Sequence, residues 1–195
     1  MIDIFKKEIS ESIEVKQLLL DSSDNLIVLE KLVIECIKSL KNGGKIIFCG
    51  NGGSFADSQH LTAEFISKLR FDRSPLPAIA LGTNSSNLTA IGNDYGFEYV
   101  FERELIALHG ANDVFIPIST SGNSDNVNRA IKKANELGIK IFGLTGINHG
   151  KMDELCSTIK VPSVKTEKIQ ECHIMIGHIL CSIIENKFFK NSNNQ

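Results

Sequence analysis

Residues 45–64 read KIIFCGNGGSFADSQHLTAE, an apolar run that breaks into a glycine-rich turn and then into an amphipathic helical pattern. Lys45 to Cys49 is too short for a helix and has the near-continuous apolar character of a strand buried on both faces. Gly50, Gly52 and Gly53 allow a sharp bend and a close approach of backbone to ligand. Ser54 is expected to cap the helix that follows, whose N–H groups and positive dipole end suit a phosphate or carboxylate. On that helix His60 and Glu64 are four residues apart and project from one face. An imidazole over a carboxylate can bind a metal or move protons. The same pair is common on solvated surfaces, and a glycine turn can serve tight packing alone. The order strand, glycine turn, helix bearing His and Glu favours the functional reading.

At 195 residues the chain suits one domain, able to bury roughly 70 % of the surface its unfolded form exposes. The formal net charge is −2, with Lys and Arg scattered and no basic stripe, so nucleic acid is not an expected partner. Cys36, Cys49, Cys156, Cys172 and Cys181 are an odd number without a CxxC pair, expected to be reduced residues of the core. The opening MIDIFKKEIS has no uninterrupted apolar stretch and no run reaches membrane-spanning length. A cytoplasmic protein without a membrane partner is expected.

Upstream of the glycine turn, Ile4, Phe5, Ile9, Ile13, Val15, Leu18 and Leu19 recur at helical spacing between Ile2 and about Leu20. A second helix starts near Asp21–Asp24, carries Leu26, Leu29, Leu32, Val33, Cys36, Ile37 and Leu40, and stops at Gly43-Gly44. Two leading helices exceed what a βαβ unit needs, and the apolar face of the first is expected to meet another subunit.

Downstream, the prolines of FDRSPLP end the His60–Glu64 helix before a strand over Ala78–Leu81. Leu88 to Ile91 reads as a short helix, GNDYG at 92–96 as a polar turn holding Asn93 and Asp94, and Phe97 to Leu108 as another helix. A strand over Asp113–Ile118 runs straight into STSGNS at 119–124, before a helix from about Asp125 to Leu137. The hydroxyls of Ser119, Thr120, Ser121 and Ser124 can surround a phosphate without a fixed cation; an ordinary Ser/Gly turn with a good N-cap is the alternative. Ile139–Thr145 and Thr158–Val161 supply the last strands, with a turn near Met152 between them. The final helix, about Glu167 to Phe189, is apolar enough to be central but is interrupted by Gln170, His173 and His178. Gln170 and His178 stand two turns apart and about 80° around the axis, so both can line one cleft. His173 is expected to be structural.

Strands alternating with helices predict an α/β fold: a doubly wound, mostly parallel five-stranded sheet with helices on both faces and ligands beyond the carboxyl ends of the strands. One domain spans 1–195, with helices in 1–42 used in oligomerisation, an α/β core over 43–189 and a polar tail over 190–195. The residues alone point to a phosphorylated small-molecule site beside a His/Glu/Gln/His cluster.

GNGGS at 50–54, STSGNS at 119–124 and IQECHIMIGHIL at 169–180 together resemble the sugar isomerase (SIS) family of phosphosugar-binding domains, and within it the phosphoheptose isomerase branch. The resemblance implies a flavodoxin-like three-layer sandwich assembled as a homotetramer with sites at subunit boundaries. It implies zinc held by His60, Glu64, Gln170 and His178, and sugar-phosphate contacts from Asn51, Gly52, Gly53, Ser54, Glu64, Asn93, Asp94, Ser119, Thr120, Ser121, Ser124 and Gln170. The implied reaction converts sedoheptulose 7-phosphate to D-glycero-D-manno-heptose 7-phosphate, a heptose precursor for lipopolysaccharide or capsule, with Glu64 as base and His178 as acid. A non-enzymatic branch that binds the bacterial replication initiator shares the fold, STSGNS and much of the last helix, and is the alternative reading. Asp57 and Gly96-Phe97 look like the isomerase, Gln59 and LPAIAL resemble the adaptor equally well, and Glu167 stands where isomerases more often carry Asp.

Overall fold

In the computed structural model, which describes residues 1–190, the apolar run after Lys45 is strand β1 (Ile46–Gly50), every residue of it buried. With β2 (Ala78–Ala80), β3 (Val114–Ile118), β4 (Lys140–Gly146) and β5 (Ser157–Val161) it forms one sheet in the order β2-β1-β3-β4-β5. All four pairings are parallel, and Ile46–Gly50 match Val114–Ile118 residue by residue.

Alternate strand residues feed two cores, which is why the strands read as continuous apolar runs. On one face Ile46, Phe48, Val114, Ile116 and Leu144 pack beneath α2 (Ser23–Lys41), α3 (Gly53–Ile66) and α8 (Thr166–Lys190). On the other, Ile47, Cys49, Phe115 and Ile141 pack beneath α5 (Val100–Leu108) and α6 (Asp125–Glu136). The expected three layers are present. All five cysteines are free, four of them buried and Cys156 half-buried.

Helix α1 (Ile2–Leu20) leaves Ile2, Ile4, Phe5, Ile9 and Ile13 exposed and buries only Leu19. It is held to the start of α8 by Lys168, whose buried Nζ donates to Glu8 O at 3.1 Å and Ser12 Oγ at 2.9 Å. Helix α8 is less central than its composition predicts: it belongs to an outer layer, with Ile179 49 % and Ile183 37 % exposed. The polar turn expected at 92–96 is corrected in part, because α4 (Ser85–Asp94) takes up Gly92, Asn93 and Asp94 and leaves only Tyr95 and Gly96 outside it. Asn84 Oδ1 accepts from the N–H groups of Ser86 and Asn87 and starts α4 early, and Gly96 at φ 105° stops the chain only after Tyr95. The polar residues that suggested a turn lie on a helix with no buried residue. A 3-10 turn over Phe97–Tyr99 precedes α5, and α7 (Lys151–Leu155) replaces the turn near Met152. No helix among the described residues is long and apolar enough to cross a membrane. Of the tail expected at 190–195, residues 191–195 lie outside the described residues.

Candidate active site

The chain goes from β1 out to β2 and returns to β3 on the other side of β1, so β1 and β3 are the pair at which the winding reverses. Helix α3 leaves β1 toward one face and α6 leaves β3 toward the other, opening a crevice beyond their carboxyl ends. Two helix N-termini flank it, and their positive dipole ends favour an anion.

Gly52 makes the β1 end of this crevice possible. Its φ of 56° and ψ of −121° suit glycine alone, and it is the residue that begins α3. The cap expected of Ser54 is therefore corrected: Ser54 is buried inside the first turn, its carbonyl accepting from Ser58 Oγ at 2.8 Å. Asn51 and Asn126 exchange amide hydrogen bonds of 2.8 and 3.0 Å across the crevice. Asn126 carried no motif signal; only its place in the first turn after STSGNS could have drawn attention to it. In the second loop Ser119 is buried with its Oγ 3.0 Å from that of Ser124, whose hydroxyl makes no cap bond to α6. Ser121 Oγ accepts from Asn123 N at 3.1 Å, and Thr120 is half-buried beside it. Gly122, at φ 65°, lets the loop close onto β4, where a methyl group would meet Thr145 Oγ1 at 3.1 Å.

Helices α3 and α8 pack side by side, their contacts advancing in step along both. A Cβ on Gly53 would lie 2.5 Å from Gln170 Nε2, and one on Gly177 would lie 2.4 Å from Leu61 Cδ2. These two glycines set the close approach. Between them His60 Nε2 lies 2.9 Å from His178 Nε2 and 3.3 Å from Glu64 Oε1, and the three groups' nearest donor atoms all fall within 4.8 Å of one another. The imidazoles meet edge-on, with centroids 5.0 Å apart. The predicted pairing of His60 and Glu64 with His178 is thus realised, with Gln170 two turns away on α8 against the phosphate-turn glycine. Donor separations of 2.9 and 3.3 Å approach the roughly 3.3 Å edge of a tetrahedron built on zinc–ligand bonds of about 2.0–2.1 Å, so the nitrogen and oxygen set fits zinc.

Asp57, one turn before His60, buries Oδ2 without a partner; burial pushes its carboxyl up to about 6 against the opposing pull of His60. Burial raises the Cys181 thiol well above its ordinary range, with the Glu64 and Glu185 carboxylates nearby adding to the effect. His173 is fully buried and burial lowers it to about 4, despite its hydrogen bond to Thr145 O at 3.2 Å. It is structural, as its place in an apolar stretch predicts. Asn93 and Asp94 sit exposed in the last turn of α4, hydrogen-bonded to each other at 2.8 Å, on a helix that packs against the 97–99 turn and α5.

A parallel α/β sheet with a glycine turn and a hydroxyl loop at its winding reversal, and a His–Glu–His cluster beside them, defines a domain that handles small phosphorylated ligands. The SIS domain model matches residues 13–146, and the chain belongs to that family and, within it, to the phosphoheptose isomerases. It is 49 % identical over 192 residues to the phosphoheptose isomerase of Aneurinibacillus thermoaerophilus, covering 98 % of this chain and 97 % of that protein. The Clostridium acetobutylicum phosphoheptose isomerase is 47 % identical over 97 % of each chain. The solved phosphoheptose isomerase of Neisseria gonorrhoeae superposes with a TM-score of 0.88 at 39 % identity, over 94 % of this chain and 98 % of that one. The corresponding Francisella tularensis structure gives 0.90 at 33 % identity, over 95 % and 98 %.

Proposed function

We infer that the chain is an aldose–ketose isomerase that converts sedoheptulose 7-phosphate to D-glycero-D-manno-heptose 7-phosphate in heptose biosynthesis. The observation that carries the reading is the seat of Gln170. Its amide rests on Gly53 at the phosphate turn while His178, on the same helix, meets His60 and Glu64, so one crevice serves phosphate and proton transfer together. The relatives described above carry the isomerase's name, and nothing in them supports the initiator-binding adaptor.

The reaction moves one proton between neighbouring carbons and leaves the overall composition unchanged. The Ser119–Ser124 hydroxyls, the N–H groups at the start of α3 and the N-terminus of α6 hold the phosphate, fixing the sugar without a charged side chain. Glu64 takes the proton from C1 of the ketose, leaving an enediolate, and returns it to C2, which leaves the aldehyde at C1. His178 gives a proton to the carbonyl oxygen and recovers one from the hydroxyl at C1. His60, 3.3 Å from Glu64, orients the carboxylate. His60, Glu64, Gln170 and His178 would hold zinc, which would supply Lewis-acid stabilisation of the developing charge. Gln170 is an uncommon zinc ligand, which suits a contact that substrate can replace. A carboxylate on a metal is a weaker base, so Glu64's two roles compete.

The assembly is a homotetramer in the cytoplasm, its product feeding lipopolysaccharide or capsule. Support for association comes from the exposed apolar residues of α1 and from a groove of about 820 Å³ between α1, α2 and α8, lined by Leu19, Leu26, Ile27, Val33, Ile179 and Ile183. Incubation with sedoheptulose 7-phosphate in deuterated water tests the chemistry: the enediolate route puts deuterium at C2 of an aldose product. Absence of any aldose ends the reading.

A further inference from the structure

Residues 67–77, between α3 and β2, have no regular structure, yet they carry a heavily bonded buried ion pair. Arg73 Nε meets Glu185 Oε1 at 3.0 Å, with the two side chains 3 % and 1 % exposed. Glu185 also accepts from Leu69 N at 3.1 Å and Arg70 N at 2.9 Å. Arg73 in turn curls back over the end of α3. Its Nη2 donates to Glu64 O at 2.7 Å, and its Nη1 donates to Phe65 O at 2.6 Å and to Ser74 O at 3.1 Å. Carbonyls in a helix's last turn lack intrahelical partners, and here a guanidinium supplies them.

The ion pair by itself gives little stability, since well-packed apolar residues commonly replace one at no loss; what this pair adds is partners for backbone groups of the α3 end and the 67–77 segment. What an apolar pair cannot do is hold a particular carbonyl in a particular direction. The carbonyl held is that of Glu64. Glu185, at the other end of the pair, follows His178 by seven residues, or two helical turns less about 20°, and so lies on the same stripe of α8. Along the two helices Gly53 meets Gln170, Leu61 meets Gly177, His60 meets His178, and Arg73 bridges the end of α3 to Glu185. None of the hydrogen bonds of Arg73 or Glu185 reaches residues 51–54 or 119–124.

We propose that Arg73 and Glu185 are positioning residues for the isomerase reaction, a clamp that fixes the axial register of α3 on α8 and with it the separation of Glu64 from His178. This rests on the reading of Glu64 as the base. A displacement of about 1 Å in a reacting group costs on the order of a hundredfold in rate, so small losses of register suffice.

The test is the double variant Arg73→Met/Glu185→Leu, assayed metal-replete on sedoheptulose 7-phosphate alongside its thermal unfolding. The expected result is a lowered Tm, because Leu69 N, Arg70 N and Glu64 O lose partners, a KM within about twofold because the phosphate loops are untouched, and a kcat lower by roughly ten- to a hundredfold in the folded protein. A parent-like kcat in the folded variant overturns the proposal, whatever its Tm. Should the double variant not fold, Arg73→Lys decides: it keeps the charge facing Glu185 but loses the fork that reaches Glu64 O and Phe65 O. A folded Arg73→Lys protein with reduced kcat and unchanged KM supports the clamp, and one with parent kcat overturns it. Glu64→Gln is measured in parallel. Near-parent turnover there removes the base reading and the clamp with it, whereas lost turnover there with parent kcat in the clamp variants removes the clamp alone.

Discussion

Glu64 is the proposed base, and Glu64→Gln keeps its shape while deleting that function. Turnover should fall by about 10²–10⁴-fold with sugar-phosphate binding retained, read as kcat against KM. Ser121→Ala removes one donor to a charged phosphate and should raise KM by roughly ten- to a hundredfold with little change in kcat. For the metal, His60→Ala and His178→Ala should lower zinc content measured by elemental analysis, while His149→Ala should not. His173 gives a pH signature. Its native value of about 4 lies below the ordinary 6.5, so between those values the unfolded chain binds a proton that the native state refuses. Stability present above about pH 6.5 is therefore lost as pH falls toward 4, by about 3 kcal/mol, and His173→Gln should remove that part of the slope in urea titrations. His60 and Glu64 were legible because a four-residue spacing places them on one helical face whatever the packing. Ser54 was misread because capping residues are recognised by composition, whereas here the backbone conformation of Gly52 starts the helix. Asn126 was invisible, since its meaning lies in a partner 75 positions away.

The two helices that carry the cluster meet through a glycine on each, and Gly177→Ala is the sharpest test of that contact. A methyl group there runs into the buried Leu61 side chain, so the variant should lose about 1–3 kcal/mol and also lose turnover, because His178 moves with the helix; chemical unfolding and kcat report the two effects. Strands β1 and β3 were legible because residues buried on both faces leave unbroken apolar runs; β5, with Ser157 exposed and Lys160 half-buried, leaves a weaker one. Helix α4 was not legible. Its Asn and Asp residues are turn formers by local chemistry, and Asn84 as a cap with Gly96 as a stop overrides them. The exposed side of α8 escaped notice for a related reason: Ile179 and Ile183 read as core from the sequence, but in a single chain they face outward.

At the scale of the whole molecule those outward residues, with Leu26 and Ile27, form one apolar wall, and the proposed assembly predicts that Ile183→Glu shifts the species in sedimentation from tetramer toward smaller forms. A parallel sheet with helices on both faces and a site beyond the carboxyl ends of its strands followed from the alternation of strands and helices, while the strand order β2-β1-β3-β4-β5 came from the structure. The meeting of His60 and Glu64 on α3 with His178 on α8 was expected, whereas the Asn51–Asn126 pair across the crevice was not. We propose that the return of α8 onto α3 makes a metal-assisted isomerase. Its most direct test is aldose formation from sedoheptulose 7-phosphate by the pure protein, before and after a chelator. Conversion that disappears with the chelator and returns with added zinc is the predicted result; no conversion by zinc-replete protein, or conversion indifferent to the chelator, would contradict it.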